Sequence, residues 1–342
     1  MGHVTKHFAV LPHLKKNFDR FVFIGSETGP ERDYIGNSYP FYALPEAKLK
    51  RKEIFGNLSL PIKLLNAERK SREIMKAERP SVVFCGGGYV SVPAAFAAHS
   101  LSIPVAVHES DRSAGLANRL CIPFSKAVFT TFPDTLKNNK KVINVGGIVR
   151  NELFAPRPKE SNPYRFCNGK KTLLVIGGSL GSKTINDNVA AIYDELCSRY
   201  NVLHLCGKAC PAQRRRKDLR VVAFTKDMAD VYAATDIAVS RCGANTAFEL
   251  MALGIPSLFI PLPKTSSRGD QIENAEYFKS IGAAHVLDES FLTPKTLLRA
   301  IIDLEDDYMR IKTNIKRVQT FDAAKSIAGS LVKISQGKSP IG

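Results

Sequence analysis

Short, almost continuously apolar runs alternate along this chain with longer stretches of mixed polarity. RFVFIGS (20–26), PSVVFCGGG (80–88), IPVAVHES (103–110), KAVFTTF (126–132) and KVINVGG (141–147) form one series. After a polar, proline-containing stretch near 153–170 a second series follows: KTLLVIGGS (171–179), NVLHLCGK (201–208), RVVAFTK (220–226), DIAVSRCG (236–243), IPSLFIPL (255–262) and AAHVLDE (283–289). Runs rich in Val, Ile and Phe, spaced by segments long enough for a helix, predict βαβ units. Strands apolar on both faces belong to parallel sheets covered on either side. The pattern therefore predicts an α/β chain of two doubly wound domains facing each other across a cleft, with ligands at the carboxyl ends of strands. Met1 to Lys16 reads as a loop tail and a helix with no apolar strand in front, so the first domain is expected to lack its first strand. Ala323 to Ile334 reads as a short helix and GKSPIG as a frayed end.

The 342 residues suit two domains, and 44% hydrophobic residues are an ordinary globular share. Charge changes the picture more: 49 Lys and Arg against 32 Asp and Glu leave +17, which points to an anionic partner. The seven cysteines, Cys85, Cys121, Cys167, Cys197, Cys206, Cys210 and Cys242, lack the dense, even spacing of a secreted disulfide scaffold and are read as small buried thiols of a reduced compartment. Cys206 and Cys210 have no second ligand pair, so no zinc site is expected. The most apolar later run, Val90 to Val107, is broken by Ser91, Pro93, His99, Ser100 and Pro104. Neither a signal peptide nor a spanning helix is read, and any membrane association is expected to be peripheral.

Several strand exits carry chemistry. Gly177-Gly178-Ser179-Leu180-Gly181 follows LLVI and precedes a helical segment, where backbone N–H groups and a helix N-terminus suit a diphosphate, or where a structural turn sits. Arg241-Cys242-Gly243 leads into a helix whose Glu249 lies in an apolar stretch. An ionised carboxylate there could accept both hydrogens of a ribose diol, or be an exposed helix charge. Gln271 and Asn274 lie on one helical face after Pro263–Asp270, ready for sugar hydroxyls or for solvent. In the first half, Gly86-Gly87-Gly88 permits close backbone approach. His108-Glu109-Ser110-Asp111 supplies acid/base groups of which at most one of the adjacent His and Glu faces a substrate. His3 stands near a helix start, which would favour its neutral form. Residues 48–79 carry ten basic and four acidic side chains interleaved with leucines, a surface suited to an anionic bilayer or phosphorylated lipid, or simply a solvated face. Arg214-Arg215-Arg216-Lys217 has no aromatic recognition module beside it, which argues against nucleic acid.

Taken together, GHVTKHFAVLPHL, FIGSETGPERDYI, CGGGYVSVPAAFAA, IPVAVHESDRSAGLANR, VIGGSLGSKTIN, FTKDMADVYAATDIAVSRCGANTAFELMALGIPSLFIPLP and RGDQIENAEYFKSIGAA closely resemble a family over almost the whole chain. It is the bacterial peptidoglycan glycosyltransferases that add N-acetylglucosamine to undecaprenyl-pyrophosphoryl-N-acetylmuramyl-pentapeptide. The resemblance implies a GT-B architecture of two Rossmann-like domains. An acceptor-binding domain is expected over 1–152, a UDP-sugar domain over 153–324, and a helix and tail over 325–342 packing back toward the first. It implies an inverting transfer giving a β1,4 linkage, without a metal or other cofactor, on the cytoplasmic face of the bacterial membrane. The implied partners are UDP-GlcNAc, the lipid acceptor, the anionic inner leaflet and other cell-wall synthesis proteins.

By resemblance Glu249 holds the ribose, and Gly178, Ser179, Leu180 and Gly181 the diphosphate. Gln271 meets the transferred sugar, Asn274 and Arg241 support it, and Phe224 and Thr225 border the uracil. Arg150 matches the arginine closing the segment after the last strand of the first domain. His3 matches the family histidine and is the base candidate beside Glu109 and Asp111. The chain departs from the family in three places. It starts at Met1-Gly2-His3 where members carry a strand and Gly-rich loop, has Asp111 where many have Asn, and has Gly147-Ile148-Val149-Arg150 for the usual Asn-Pro-Val-Arg. A UDP-sugar transferase acting on a diacylglycerol-type lipid, and a non-catalytic sugar-nucleotide or lipid-pyrophosphate binder, remain as alternatives.

Overall fold

The computed structural model describes residues 2–29, 31–45, 58–178, 181–207, 216–318 and 322–340. The chain forms two compact units, one of residues 1–148 and 321–342, the other of 149–320.

The first unit opens with α1 (Gly2–Leu14), then β1 (Phe23–Ser26), α2 (Glu31–Ile35), β2 (Phe41–Leu44) and α3 (Leu60–Glu78). It continues through β3 (Val83–Cys85), α4 (Ser91–Ser100), β4 (Val105–Glu109), α5 (Leu116–Cys121), β5 (Ala127–Thr130) and β6 (Val142–Asn144). The strands make two parallel sheets, β1-β2 and β3-β4-β5-β6, with no ladder joining them among the described residues. His7 on α1 touches both, its ring 6.4 Å from Phe23 and 5.0 Å from Phe84. β2 was not among the apolar runs of the sequence reading. Its four residues lie between Pro40 and Pro45, too short for alternation to show.

The second unit runs β7 (Thr172–Ile176), α6 (Lys183–Ala191), α7 (Tyr193–Arg199), β8 (Asn201–Leu205), β9 (Leu219–Val222), α8 (Met228–Ala233) and β10 (Ile237–Ser240). Then come α9 (Ala244–Ala252), β11 (Ser257–Phe259), α10 (Asp270–Ser280), β12 (His285–Val286), α11 (Pro294–Asp306) and α12 (Tyr308–Ile315). Its six strands are all parallel in the order β12-β11-β10-β7-β8-β9. β7, β8 and β10 are buried at every position, as expected for strands covered on both faces. Where β7 and β10 lie side by side the strand order reverses, and the loops leaving those two strands diverge there, as ligand-binding crevices of open α/β sheets require.

The last helix, α13 (Ala323–Ser335), belongs to the first unit. Its Ala323, Ala324, Ile327, Ala328, Leu331 and Ile334 complete a core with Val10, Ala106, Ala127, Phe129, Val145 and Ile148. Cys85, Cys121, Cys197 and Cys242 are free, buried thiols, as expected, and Cys167 is free and exposed. Cys206 departs from that expectation, being disulfide-bonded; Cys210 lies outside the described residues. No described helix is long and apolar enough to cross a membrane.

Candidate functional site

In the second unit, chain order delivers two loops to the β7/β10 reversal. Leaving β7, Gly178 and Gly181 take φ of +89° and +78°. Gly181 N–H donates to Gly178 O at 3.0 Å to close the turn. A Cβ on Gly181 would stand 2.2 Å from Cys206 O, so only glycine fits. Ser179 and Leu180 lie outside the described residues. Ser182 caps α6, its Oγ accepting from Ile185 N. The same Oγ accepts from Arg241 Nη2 at 2.7 Å, while Arg241 Nη1 donates to the carbonyls of Ile260 and Pro261. Arg241 also pairs with Glu289 and is 8% exposed. It thus ties the exits of β10 and β11 to the start of α6.

Gln271, in the first turn of α10, accepts from Leu262 N at 3.1 Å through Oε1. Asn274 differs from the sugar-facing expectation. It is fully buried and donates to Cys242 O at 3.3 Å, pinning α10 to the β10 exit. Beyond β9, Phe224 is 57% exposed. Thr225 Oγ1 is held by Tyr164 OH at 2.7 Å and by Asp227 N at 3.0 Å.

Glu249 is buried on α9, not an exposed helix charge. Its Oε1 accepts from Arg150 Nε at 3.1 Å and its Oε2 from Tyr232 OH at 3.0 Å. Burial pushes the Glu249 carboxyl above the usual range, against the pull of Arg150 and Tyr232. Arg150 also donates to Glu152 at 2.7 Å.

In the first unit the exits of β3 and β4 meet α1. Lys6, 3% exposed, donates to Gly86 O at 2.8 Å and Ser110 Oγ at 2.7 Å, and lies 3.3 Å from His108 Nδ1. An ammonium has only donors, so His108 accepts at Nδ1 and carries its hydrogen on Nε2, 3.3 Å from Thr131 Oγ1. Burial pushes the Lys6 amine down to about 8, against the pull of Glu109 and Asp111. Glu109 does not stand open as an acid or base. Its Oε1 accepts from Asp111 N at 3.0 Å, and its Oε2 from Gly115 N at 2.9 Å and Asn118 Nδ2 at 2.8 Å. Asp111 follows on the half-exposed loop. His3 lies in the first turn of α1, and its side chain lies outside the described atoms.

The sequence reading missed Lys6 and Tyr232. A lysine in an amphipathic helix reads as solvated, and nothing local shows that its ammonium ends under two strand exits. Tyr232 lies in the apolar stretch Val231-Tyr232-Ala233, where only the position of Glu249 seventeen residues on gives the hydroxyl a partner. Among the described residues no group of three His, Cys, Asp or Glu side chains is arranged to hold a metal ion.

Residues 1–130 match the glycosyltransferase family 28 N-terminal domain and residues 172–329 its C-terminal domain. A Clostridium kluyveri relative named UDP-N-acetylglucosamine–N-acetylmuramyl-(pentapeptide) pyrophosphoryl-undecaprenol N-acetylglucosamine transferase is 39% identical over 339 residues, 97% of this chain and 96% of the relative. A Geobacillus thermodenitrificans protein of the same name is 38% identical over 95% of this chain and 94% of its own. Among solved structures, Acinetobacter baumannii MurG superposes with a TM-score of 0.76 at 24% identity, covering 96% of both chains. Neisseria meningitidis UDP-GlcNAc 2-epimerase reaches 0.66 at 14% identity over 98% and 97%. The shared GT-B fold thus hosts more than one activity, whereas the relatives that approach 40% identity over nearly the full length carry that transferase name: the chain belongs to the family 28 glycosyltransferases, among the pyrophosphoryl-undecaprenol N-acetylglucosamine transferases.

Proposed function

We propose that the chain transfers N-acetylglucosamine from UDP-GlcNAc to the C4 hydroxyl of undecaprenyl-pyrophosphoryl-N-acetylmuramyl-pentapeptide. The observation that carries this reading is the 39% identity, over 97% of the chain, to a relative named for that transfer.

In the inverting step the acceptor oxygen bonds to the anomeric carbon as the carbon–oxygen bond to UDP breaks on the opposite face. UDP leaves with the electron pair, and the hydroxyl proton passes to a base. The second unit takes the donor. Glu249 receives the ribose diol, Phe224 and Thr225 border the uracil, and Gln271 meets the sugar. Gly178 and Gly181, with Ser179 and Leu180 between them, turn backbone N–H groups and the start of α6 toward the diphosphate. That arrangement stabilises the charge developing on the leaving group. Arg150, Arg241 and Asn274 support it from behind.

The first unit takes the acceptor. With both oxygens of Glu109 engaged by loop donors, the base is His3 or Asp111, and Glu109 shapes the loop that presents Asp111. Peripheral binding to an anionic membrane falls to α3. Leu58, Ile62 and Leu65 are exposed near its start, and Lys63, Arg69, Lys70, Arg72 and Lys76 are exposed along it. Of the other basic cluster, Arg216 pairs with Asp194 and Asp218, while Arg214 and Arg215 lie outside the described residues.

The test is incubation of the purified chain with labelled UDP-GlcNAc and the lipid-linked muramyl-pentapeptide, without added metal. Labelled disaccharide lipid is the expected product. UDP binding without product would make the chain a binding protein, and product formed only with diacylglycerol would reassign the acceptor.

A further inference from the structure

A carboxylate offers about four acceptor positions. Among the described residues Glu249 receives two hydrogen bonds, from Arg150 Nε on Oε1 and from Tyr232 OH on Oε2. One position on each oxygen remains, and a vicinal diol supplies two hydrogens. The two donors already present decide where those remaining positions point. Arg150 Nε grips one oxygen only, which leaves the carboxylate able to rotate about its last bond. A second donor on the other oxygen removes that rotation.

We infer that Tyr232 is a positioning residue for nucleotide recognition: by holding Oε2 it aims Glu249 at the ribose diol and so sets the preference for ribonucleotide over deoxyribonucleotide. The inference rests on the reading of Glu249 as the ribose acceptor.

Tyr232 is suited to this task. It is 3% exposed, and burial, together with the neighbouring charge of Glu249, pushes its hydroxyl well above the usual range, so it remains a donor. Its helix is fixed by contacts that do not involve the hydroxyl. Asp230 accepts from Arg157 N at 2.7 Å, and Asn162 Nδ2 donates to the Asp230 carbonyl at 2.9 Å. Removing the hydroxyl therefore leaves α8 in place and frees only the carboxylate. The hydroxyl also favours the ionised form of Glu249, as Arg150 does, while burial and the nearby Glu152 oppose it. Without it the carboxyl protonates at higher pH and loses its ability to accept both diol hydrogens.

The experiment is calorimetric titration of the full chain with UDP and with 2′-deoxy-UDP between pH 5 and 8, for wild type, Tyr232→Phe and Glu249→Gln, alongside thermal melts. Tyr232→Phe is expected to weaken UDP about threefold to tenfold, the net scale of one ordinary hydrogen bond, since the lost bond acts on UDP only through Glu249. It should weaken 2′-deoxy-UDP less, shrink the ratio between them, and move the acidic loss of UDP affinity to higher pH. A wild-type ratio and pH limb in Tyr232→Phe overturns the inference, as does an equal loss for both ligands with a lowered melting temperature. If Glu249→Gln itself leaves the ratio unchanged, the ribose reading fails; if it abolishes the preference while Tyr232→Phe does not, only the role of Tyr232 fails.

Discussion

Glu109 sits beside a histidine at a strand exit, a position that by sequence suggests acid/base chemistry, yet its surroundings assign it a different task. Its carboxylate gathers the N–H groups of Asp111 and Gly115 and the amide of Asn118, so it closes the loop after β4 as a cap closes a helix. Glu109→Ala removes the acceptor from all three. Since a buried donor left unpaired costs about 1–3 kcal/mol, the substitution is expected to destabilise the first unit by about 2 kcal/mol or more, read in a denaturant melt. Glu109→Gln, which keeps one acceptor oxygen, should lose less. A Glu109→Ala variant as stable as wild type, whose activity is lost through a changed acidic limb of the pH profile, would restore Glu109 as the base. The same contrast separates what was legible at this scale. Glu249 stood out because a carboxylate in an apolar helix needs a partner, whereas Tyr232, which supplies half of that partnership, reads as ordinary core.

Elements were more legible than their partners. Apolar runs such as LLVI and IAVS are strands because residues buried on both faces need no alternation. β2 escaped notice because four residues between two prolines carry no pattern. That α13 packs in the core of α1 depends on where the chain returns in space, which periodicity does not encode. For α3 the sequence gives the mixture of leucines and basic residues, and the structure adds that Leu58, Ile62 and Leu65 are 77%, 65% and 59% exposed while Ala67, Ser71, Ile74 and Met75 face inward. Full burial of such side chains is worth about 1.5–3 kcal/mol each, and each basic residue near an anionic surface adds about 1 kcal/mol. Substituting all three apolar residues by Ser is therefore expected to weaken binding to phosphatidylglycerol-containing vesicles by at least about tenfold on that scale, measured by co-sedimentation, with UDP affinity unchanged. Equal sedimentation of variant and wild type would remove α3 as the membrane-facing element.

The two compact units respond to pH in different windows. In the second unit Tyr193 OH lies 2.6 Å from His204 Nδ1, His204 Nε2 lies 3.0 Å from Asn186 Oδ1, and Asn186 Nδ2 donates to Cys206 O at 2.8 Å. A neutral ring satisfies every link: it accepts from Tyr193 and donates to Asn186. This relay fastens α6 to the β8 exit that presses on Gly181, so it lies behind the proposed diphosphate loop. Burial pushes His204 down to about 4 from 6.5. Between those values the unfolded chain binds a proton that the folded unit does not, so stability is lost as pH falls through the interval, by up to about 3 kcal/mol from this residue. In the first unit Lys6 is lowered from 10.5 to about 8. There the unfolded chain holds the extra proton between about pH 8 and 10.5, so that unit gains stability as pH rises, in a window separate from that of His204. Urea melts followed by hydrogen exchange at the β8 amides should show the second unit weakening from pH 6.5 to 4.5. His204→Gln, which has no proton to gain, should flatten that slope; a slope equal to that of wild type would take His204 out of the acid response.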